Sequence, residues 1–513
     1  MDKIKVKIIS WIKKNPVEFW ILLAIIIVGA ILRFYKIDQY MTFLGDEGRD
    51  VIIVRKIFTE LHPPLIGPGT SIGNMYLGPL YYYMMAIPLL VAGFSPIGPA
   101  IMIAVLGVIT IGFVWWVGRI WFDKKAGLIA AGLYAIAPIV IIYSRSSWNP
   151  NIMPFFSLLS IYSIWKVWRE KKLNWLIVMG VSFTFALQSH YLALLLVPTL
   201  FVFWFRTLLG LRNNKKTGPF IKKTIIAFVV FLVLMSPLFI FDIRHNWMNF
   251  KAIYTFFTVR QTTVSIRPWM AVPKIPQMLD FVTKSVLVGK NSLAAILSSI
   301  GIGVGVAYLF ISNFIKRRNF KIKGEYWMLI SWLGFGLIGF GLYKQNIYDH
   351  YFGFLFAVPF LLIGIFISKL LSGGKITKIL GSAALICLVY VNLVASPLLK
   401  EPNKLLQRSI HVSKVIEENS SGTPFNLAVI ADTNYEDGYK YFLLKDNYPV
   451  VSIDAQVPSS VADQLFVVCE LIPNSKCDPT HSPKAQVASF GWSKIDSSWE
   501  VDGAIVYKLV HSE

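Results

Sequence analysis

The residues best suited to chemistry lie in the segment GDEGRD, which runs from Gly45 to Asp50. In the segment VIIVRKIFTEL that follows, apolar residues recur at the spacing of one helix face, which predicts a short amphipathic helix. Asp46 and Glu47 would stand at the start of this helix. A carboxylate in that position can act as a general base, or it can cap the helix, which is worth about 1 kcal/mol.

A second group of side chains could hold a phosphate group. They follow apolar segments in the stretches SRSSWNPN, QSHY, FDIRHNW and YKQNIYDHYF, and they are Arg145, His190, Arg244, His245, Lys344 and His350. Each has an ordinary alternative, because Arg and Lys at the end of a membrane helix extend to lipid headgroups and a His can bond a backbone carbonyl. Asp242 is close enough in sequence to Arg244 to pair with it, which makes Arg244 less available to a ligand.

The composition identifies a membrane protein. Of the 513 residues, 55% are apolar or aromatic and 15% are charged, whereas about 25% of the residues of a soluble protein are charged. This excludes a disordered chain, a coiled coil and an ordinary cytosolic enzyme. Eleven apolar segments approach the roughly 20 residues that a spanning helix needs, and they lie at about 17–34, 99–117, 126–143, 152–166, 175–189, 191–205, 224–241, 292–313, 326–342, 351–368 and 378–396.

A twelfth segment, from Tyr76 to Phe94, contains two prolines and three consecutive tyrosines, which suits an interfacial or partly inserted helix better than a spanning one. If this segment does not cross, the Lys and Arg of the short loops all lie on one side of the membrane, as the positive-inside rule requires. We therefore predict eleven spans, a cytoplasmic amino terminus and GDEGRD outside the plasma membrane. The first apolar segment serves as an anchor, so no removable signal peptide is expected.

Charge divides the chain near residue 400. Residues 1–400 carry 41 Lys and Arg and 13 Asp and Glu, whereas residues 401–513 carry 9 and 15. We predict a transmembrane domain at 1–400, with a first outer loop at 35–98, and a soluble extracytoplasmic domain at 401–513. The basic residues belong to membrane loops, and the second domain has no basic patch with interleaved aromatics, so nucleic acid is not an expected partner.

The segment 401–513 alternates strand-like runs with one helix-like run. FNLAVIAD, QLFVVCEL and AIVYKLV predict strands and EDGYKYFLLKD predicts a helix, so a small α/β domain is expected. Its role would be to cover a cavity, to recognise an acceptor or simply to pack. Cys469 and Cys477 can pair in this exported domain, but their spacing does not show whether their Cβ atoms approach each other.

Four motifs together resemble the C-type glycosyltransferases in their order and sidedness. They are Asp46-Glu47 after the first span, Tyr76-Leu77-Gly78-Pro79-Leu80-Tyr81-Tyr82, Gly118-Arg119-Ile120-Trp121-Phe122 and Ser144-Arg145. Within that class the chain resembles glycosyltransferase family 39, the protein O-mannosyltransferase-like branch, with the lipid A aminoarabinose transferases as more distant relatives. The resemblance covers roughly residues 1–400. It implies an all-α polytopic fold, an active site at the outer membrane surface, a polyprenyl-phosphate sugar as donor and Asp46 as the catalytic base.

The chemistry of such a donor agrees with this placement. Its lipid tail stays in the membrane and its sugar phosphate lies at the headgroup level, where helix ends and outer loops can enclose a cavity. A base that takes the proton of the acceptor hydroxyl accelerates transfer typically ~10²- to 10⁴-fold, and cations stabilise the phosphate. A single base attacking opposite the phosphate implies inversion at the sugar carbon.

The residues divide between these roles as follows. Asp46 is the candidate base, and Glu47 would orient Asp46 or the acceptor. The candidates for binding the donor phosphate or other parts of the substrates are His350 and Arg145, then His190, Arg244, Lys344 and Tyr81. The expected partners are membrane lipid, the polyprenyl-phosphate sugar and an acceptor hydroxyl on a protein, a lipid or a cell-wall glycan; no covalently bound cofactor is expected.

The sequence departs from these relatives at two places that bear on a metal. The lipid A-modifying relatives have Glu-Lys before a Pro-Pro pair, whereas this chain has LG before the single Pro79. The loop after Arg145 lacks the Asp that many relatives carry there. Asn149 and Asn151 in that loop would either supply neutral oxygens to a divalent metal or end a helix, and the sequence does not decide between these two roles.

Two other functions compete with a transferase. A transporter or lipid flippase would favour internal repeats and ionisable residues in the middle of the spans, whereas here the polar groups gather at one membrane face. An assembly protein that binds a partner outside the cell would not need the pair Asp46-Glu47. Substitution of one carboxylate therefore separates an assembly protein from an enzyme.

Overall fold

A computed structural model describes residues 9–212, 216–258, 263–265, 267–315, 323–470 and 477–512 of the protein. The first and larger part is helical. Its helices are α1 Pro16–Phe34, α2 Ile37–Tyr40, α3 Gly45–Thr59, α4 Leu80–Val91, α5 Ile97–Trp121, α6 Lys124–Ile136, α7 Pro138–Tyr143, α8 Met153–Glu170, α9 Trp175–Ser189, α10 Val197–Leu211, α11 Thr217–Arg244, α12 Met248–Thr258, α13 Ile275–Val282, α14 Ser292–Ile315, α15 Gly324–Leu342, α16 Ala357–Leu371 and α17 Lys375–Val394.

All eleven segments predicted as spans are helical in the structure. Among the described residues, seven helices are long and apolar enough to cross a membrane, and there are eight if Asp349–Leu355 and α16, which meet at 61°, form one span. The other predicted segments are shorter or interrupted: α9 has 15 residues, and Ala137, which precedes Pro138, separates α6 from α7. The helical character is confirmed, whereas the number of eleven spans stays a prediction.

Small residues bring helices of the bundle into backbone contact. A Cβ atom added to Gly118 of α5 would lie 2.8 Å from the Cα atom of Gly127 in α6. One added to Gly364 of α16 would lie 2.7 Å from the carbonyl oxygen of Ala126. Membrane helices have no hydrophobic driving force between them and rely on such close packing. The helices α5, α6 and α16 therefore form a tightly packed group.

The ambiguous segment from Tyr76 to Phe94 contains the short helix α4, which has 12 residues and includes Pro88. At 1.5 Å per residue it rises about 18 Å, much less than the roughly 30 Å of hydrocarbon in a bilayer. Tyr81 and Tyr82 of this helix are buried, and α4 packs against α3 and α5. Its length agrees with the prediction that this segment does not cross the membrane.

The amphipathic helix predicted after GDEGRD is α3. Val51 and Val54 are buried on one face, whereas Lys56 and Glu60, which lie 3.6 Å apart, are about half exposed. The helix packs against α4 of the helical part and against a helix of the C-terminal part, α19 (Asp437–Lys445). The GDEGRD segment is thus held between the two parts of the protein.

The C-terminal part is built on a four-stranded sheet. Its strands are β1 Asn426–Ile430, β2 Gln464–Cys469, β3 Ser493–Val501 and β4 Ala504–His511, in the order β1-β2-β4-β3. Strands β1 and β2 are parallel, and β4 is antiparallel to both of its neighbours. Residues of α18 (Leu405–Asn419) and α19 pack on one face, and residues of α20 (Ala485–Phe490) pack on the other.

The predicted small α/β fold of this part is confirmed. The three predicted strands are β1, β2 and β4, and the predicted helix is α19. The sequence missed β3, because its run SKIDSSWEV is polar and lies at the edge of the sheet, where its side chains are partly or fully exposed. The cysteine pairing that the sequence left undecided is present in the structure, where a disulfide joins Cys469 to Cys477.

The sidedness of the chain is directly testable. A reporter that is active only outside the cytoplasm should be active after Glu513 and inactive near Lys215, because the positively charged loops remain in the cytoplasm. A reporter that is active only in the cytoplasm, placed at the same two positions, should give the opposite pattern. Reversal of both patterns would mean that the segment from Tyr76 to Phe94 crosses the membrane and that GDEGRD faces inward.

Candidate active site

Asp46 and Glu47, the two adjacent carboxylates at the start of α3, make different contacts. The helix begins at Gly45, and the backbone N–H of Leu44 donates to Glu47 Oε2 at 3.0 Å. Glu47 therefore caps the helix from its first turn. Asp46 does not act as the N-cap, which was the structural alternative to a catalytic role.

The carboxylate of Asp46 contacts both its own helix and the C-terminal part. The side chain is 42% exposed, and its Oδ1 atom accepts hydrogen bonds from Arg49 Nη1 at 2.9 Å and from the hydroxyl of Tyr435 at 2.7 Å. Tyr435 lies just before α19 in the C-terminal part. One carboxylate of α3 is thus held by two donors and remains accessible.

The other two carboxylates of this segment are buried. Burial raises the pKa of Glu47 to about 7, against the opposing effect of the Leu44 hydrogen bond. Burial also raises the pKa of Asp50 to about 6, although Arg49 lowers it. Asp50 Oδ1 accepts from Arg49 Nη2 at 2.8 Å and from the hydroxyl of Tyr82 at 2.9 Å. Arg49 therefore joins an exposed carboxylate to a buried one.

Asp46 and Arg49 line a cleft of about 300 Å³. The cleft lies where α3 meets four loops of the helical part, and its other lining residues are Pro68, Gly69, Thr70, Ser71, Leu77, Trp148, Asn149, Pro150, His190, Tyr191, Tyr348, His350 and Tyr351. The first of these loops is closed by the hydrogen bond from Gly67 N to Leu77 O, at 2.7 Å. The structure thus brings together three predicted site residues, Asp46, His190 and His350.

Aromatic rings form one wall of the cleft. The ring of His350 lies 4.6 Å from that of Trp148, 5.7 Å from that of His190 and nearly parallel to that of Tyr348 at 5.9 Å. Such rings offer flat apolar faces with polar edges. They can pack against the C–H face of a sugar while the ring nitrogens bond its oxygens.

His190 is held in one protonation state. Burial, and after it the neighbouring His350, lowers the pKa of His190 to about 3. Its Nδ1 atom accepts from the backbone N–H of Leu192 at 3.2 Å, so the ring proton lies on Nε2. His190 is thus a neutral donor at the edge of the cleft.

Arg145 does not line the cleft. Its Nη1 atom donates to the carbonyl oxygen of Leu32 at 2.7 Å and its Nη2 atom donates to that of Tyr35 at 2.6 Å, while the guanidinium lies over the ring of Tyr40. These carbonyls belong to the C-terminal end of α1, where the helix leaves them without internal partners. The predicted phosphate contact therefore has no support, because the guanidinium is buried and holds the end of α1.

Four further predicted residues, Tyr81, Arg244, His245 and Lys344, also lie away from the lining of the cleft. Tyr81 is buried, and its hydroxyl lies 2.6 Å from Ser147 Oγ, one residue before the cleft residue Trp148. Arg244 is exposed at the end of α11, and Lys344 is exposed after α15. His245 stacks on Phe241 with the ring centroids 4.0 Å apart.

The expected pairing of Asp242 with Arg244 is wrong. The carboxylate of Asp242 instead accepts the backbone N–H groups of Asn249, at 2.7 Å, and Phe250, at 3.1 Å. Within the described ranges, no ion pair joins Asp242 to Arg244. Asp242 is thus a cap for α12, and the availability of Arg244 does not depend on it.

The two asparagines considered as metal ligands hold their own loop. Asn149 Nδ2 donates to Ser189 O at 2.6 Å, and Asn151 Nδ2 donates to Ser146 O at 2.7 Å. Asn149 thereby ties the Trp148 loop to the residue before His190. No group of three His, Cys, Asp or Glu side chains that could hold a metal ion occurs in the part of the chain that the structure describes.

Sequence reasoning missed the four residues of the hydrogen-bonded network around Asp46: Arg49, Asp50, Tyr82 and Tyr435. Arg49 and Asp50 lie three and four residues after Asp46, on the same helix face, so their spacing carried a usable signal. Tyr82 stands in a motif that the sequence had already marked. Tyr435 lies 389 residues from Asp46, and no local pattern connects the two.

The chain resembles known proteins in part of its sequence and in its fold. Residues 77–240 match the sequence model of the dolichyl-phosphate-mannose-protein mannosyltransferase family. A comparison with curated proteins gives no match. The matched segment runs from α4 almost to the end of α11 and includes the cleft loops around Trp148 and His190.

Two solved structures share the fold. ArnT from Cupriavidus metallidurans, bound to undecaprenyl phosphate, has a TM-score of 0.60 at 12% identity, with 95% of this chain and 97% of that chain covered. The oligosaccharyltransferase AglB from the archaeon Archaeoglobus fulgidus, in complex with an inhibitory peptide and a dolichol-phosphate, has a TM-score of 0.56 at 16% identity, with 90% and 70% covered.

These likenesses define the class of the protein. It is a multi-pass membrane protein with the C-type glycosyltransferase fold and a small C-terminal sheet. The resemblance predicted from its sequence, to the protein mannosyltransferase-like branch of that class, is confirmed.

The buried Glu47 makes stability depend on pH. Its pKa is about 7 in the folded protein against an ordinary value of 4.5. The contribution of Glu47 to the free energy of unfolding is therefore complete below about pH 4.5, and it is lost as the pH rises through about 7. Glu47→Gln keeps an oxygen for the N–H of Leu44 and removes the charge. At pH 8 this variant should be more stable than the wild type by an amount on the order of 1–3 kcal/mol, and the gain should disappear near pH 4.5.

Unfolding in detergent across this pH range measures the difference. Glu60→Gln, at the exposed end of the same helix, is the matched control and should show no such pH-dependent gain. A Glu47→Gln gain that is equal at pH 4.5 and pH 8 would contradict the assignment of the titration to Glu47.

Proposed function

We propose that the protein is a membrane glycosyltransferase. It moves a sugar from a polyprenyl-phosphate-linked donor to an acceptor hydroxyl at the outer face of the plasma membrane. The observation that carries this proposal is the placement of Asp46, whose accessible carboxylate opens into a cleft walled by aromatic and histidine rings. The fold is one in which ArnT was solved with undecaprenyl phosphate and AglB with a dolichol-phosphate.

Asp46 is the proposed general base. The acceptor oxygen forms a bond to the anomeric carbon of the sugar, its proton passes to the carboxylate of Asp46, and the bond from that carbon to the phosphate oxygen breaks. The polyprenyl phosphate leaves with the electron pair. Attack from the side opposite the phosphate inverts the anomeric configuration, in contrast to the paired carboxylates of a retaining glycosidase.

We propose that His190 and His350 donate hydrogen bonds to the polyprenyl-phosphate sugar. Both line the cleft, and the Nε2–H of His190 is available to an oxygen of the phosphate or the sugar. Arg49 is the charged guanidinium that lies closest to Asp46, at 2.9 Å. Its positive charge would favour both the ionised base and the departing phosphate.

The proposal extends to the two parts of the chain, to the acceptor and to the sugar. The helical part, 1–400, holds the cleft, and the part 401–513 lies outside the cell and contacts Asp46 through the hydroxyl of Tyr435. The acceptor is a hydroxyl of a protein, a lipid or a cell-wall glycan, and the sugar is a hexose or a pentose. A transporter or flippase is not favoured, because the candidate site lies at the ends of helices and not in the middle of the apolar spans.

Asp46→Asn tests the base. The substitution keeps the size of the side chain and one oxygen for its two donors, so the free energy of unfolding should change by less than about 1 kcal/mol. Transfer should fall at least ~100-fold, because the amide cannot accept the proton. The measurement is the rate of sugar transfer from a polyprenyl-phosphate donor, with Glu60→Gln as the control that changes an exposed acid of the same helix. Near-normal transfer by a folded Asp46→Asn protein would exclude this role.

His350→Ala and Arg145→Ala form a second, paired test. His350→Ala should raise the apparent KM for the donor about tenfold or more, the loss expected for a hydrogen bond to a charged group. Arg145→Ala should instead lower the unfolding temperature and leave the donor KM of the folded fraction unchanged, because it frees carbonyl groups at the end of α1. Donor titration at saturating acceptor separates the two results. A raised KM for Arg145→Ala with unchanged stability would return Arg145 to the substrate site.

A further inference from the structure

The C-terminal part reaches the candidate base through two consecutive residues. Asn434 Oδ1 accepts the backbone N–H of Gly45 at 2.9 Å in a buried hydrogen bond. The hydroxyl of Tyr435 donates to Asp46 Oδ1 at 2.7 Å. These contacts lie directly at the first turn of α3, so this part of the chain sets both the backbone and the side chain there.

We propose that Tyr435 is a positioning residue for Asp46, supplied to the active site by the C-terminal part. The proposal rests on the proposed function of Asp46 as base and assigns a role to the segment 401–513. Asn434 fixes the first turn of α3, and Tyr435 selects the orientation of the carboxylate.

The geometry explains how this orientation would help a base. Both Tyr435 and Arg49 donate to Oδ1 of Asp46. Within the described residues, Oδ2 accepts no hydrogen bond from a side chain, so it is the oxygen left to take the proton of the acceptor. Burial raises the pKa of Tyr435 above its ordinary value, so its hydroxyl remains protonated and acts as a donor.

Tyr435 is itself held by the core of the C-terminal part. Asn434 Oδ1 also accepts the backbone N–H of Tyr435 at 2.9 Å, and Asn434 Nδ2 donates to Glu470 Oε1 at 2.6 Å. The same oxygen of Glu470 accepts the hydroxyl of Tyr439 at 2.6 Å. Because Glu470 follows strand β2 directly, the contact to Asp46 is anchored in the sheet.

Two glycines of α3 make this approach possible. A Cβ atom at Gly45 would lie 2.5 Å from the ring of Tyr435, and one at Gly48 would lie 2.3 Å from the backbone carbonyl carbon of Asp437. Any side chain at these positions would push the C-terminal part away. The GDEGRD segment therefore combines a carboxylate with the space that its positioning residue needs.

If the contact of Tyr435 only stabilises the structure, removal of its hydroxyl has a different effect than if the contact positions Asp46. The ring of Tyr435 packs on Gly45 whether or not it carries a hydroxyl, so packing alone survives in Tyr435→Phe. Orientation of Asp46 depends on the hydroxyl. Tyr435→Phe thus removes the hydrogen bond that orients Asp46 and keeps the packing on Gly45.

The test compares Tyr435→Phe with Tyr507→Phe in the full-length protein. Tyr507 lies in the middle of β4, paired with Val467 and Ser498. Tyr435→Phe should lower kcat about tenfold, the loss expected when a hydrogen bond to a charged group is removed, with the donor KM and the unfolding temperature unchanged. Tyr507→Phe should leave kcat unchanged. An unchanged kcat in Tyr435→Phe, or an equal loss in both variants, would overturn the proposal.

A double-mutant cycle with Asp46→Asn shows whether Tyr435 acts through Asp46. In the Asp46→Asn background, Tyr435→Phe should cost less than twofold of the residual rate, because the group that it positions is already inactive. A full tenfold loss in that background would overturn the positioning role. If Asp46→Asn alone keeps normal transfer, the proposed function fails, and that result is distinct from failure of Tyr435→Phe in an active enzyme.

Discussion

The guanidinium of Arg49 is the interaction on which the site depends. Three carboxylates, Asp46, Glu47 and Asp50, lie within five residues of one helix, and two of them are buried. Arg49 donates to Asp46 and to Asp50, so it offsets the repulsion between them and the cost of burying Asp50. Because burial raises the pKa of Glu47 to about 7, Glu47 is partly protonated near neutral pH and adds less charge. The first turn of α3 can therefore hold a half-exposed carboxylate at a fixed position.

The same turn joins the two parts of the protein. On one side Tyr82 of α4 donates to Asp50, and on the other side Tyr435 of the C-terminal part donates to Asp46. Two carboxylates one helical turn apart are thus each tied to a different part of the fold, with Arg49 between them. A shift of either part would be transmitted to the carboxylate in the cleft. In the proposed function, this coupling would let the C-terminal part help to position the base.

The sequence predicted those features that depend on local pattern. Apolar blocks gave the helices, and short strand-like runs gave three strands. The placement of polar residues at one end of the helices, together with the family resemblance for Asp46, gave Asp46, His190 and His350, which the structure brings into one cleft. Their catalytic and binding roles stay predictions. Arg145 shows the limit of this reasoning, because an arginine after a helix can meet a ligand or the carbonyl groups of a neighbouring helix end, and only the tertiary structure decides. Tyr435 could not be predicted, since no local pattern relates it to a helix 389 residues earlier.

The charge of the cleft bears on the kind of donor that it suits. Arg49 is the only Lys or Arg among the described residues that line it, and it already pairs with two carboxylates. With Glu47 protonated, Asp46, Arg49 and Asp50 together carry one negative charge. A nucleotide sugar with two phosphates would meet repulsion there and would need further cations. A lipid-linked donor carries one phosphodiester charge, and its tail, worth about 0.8 kcal/mol for each CH₂ group buried in the membrane, confines it to the bilayer in which the helices lie. In the proposed function, one shared cation and neutral histidine donors would face a single phosphate charge, and the membrane would concentrate the donor near the cleft, because the tail stays in hydrocarbon before and after binding.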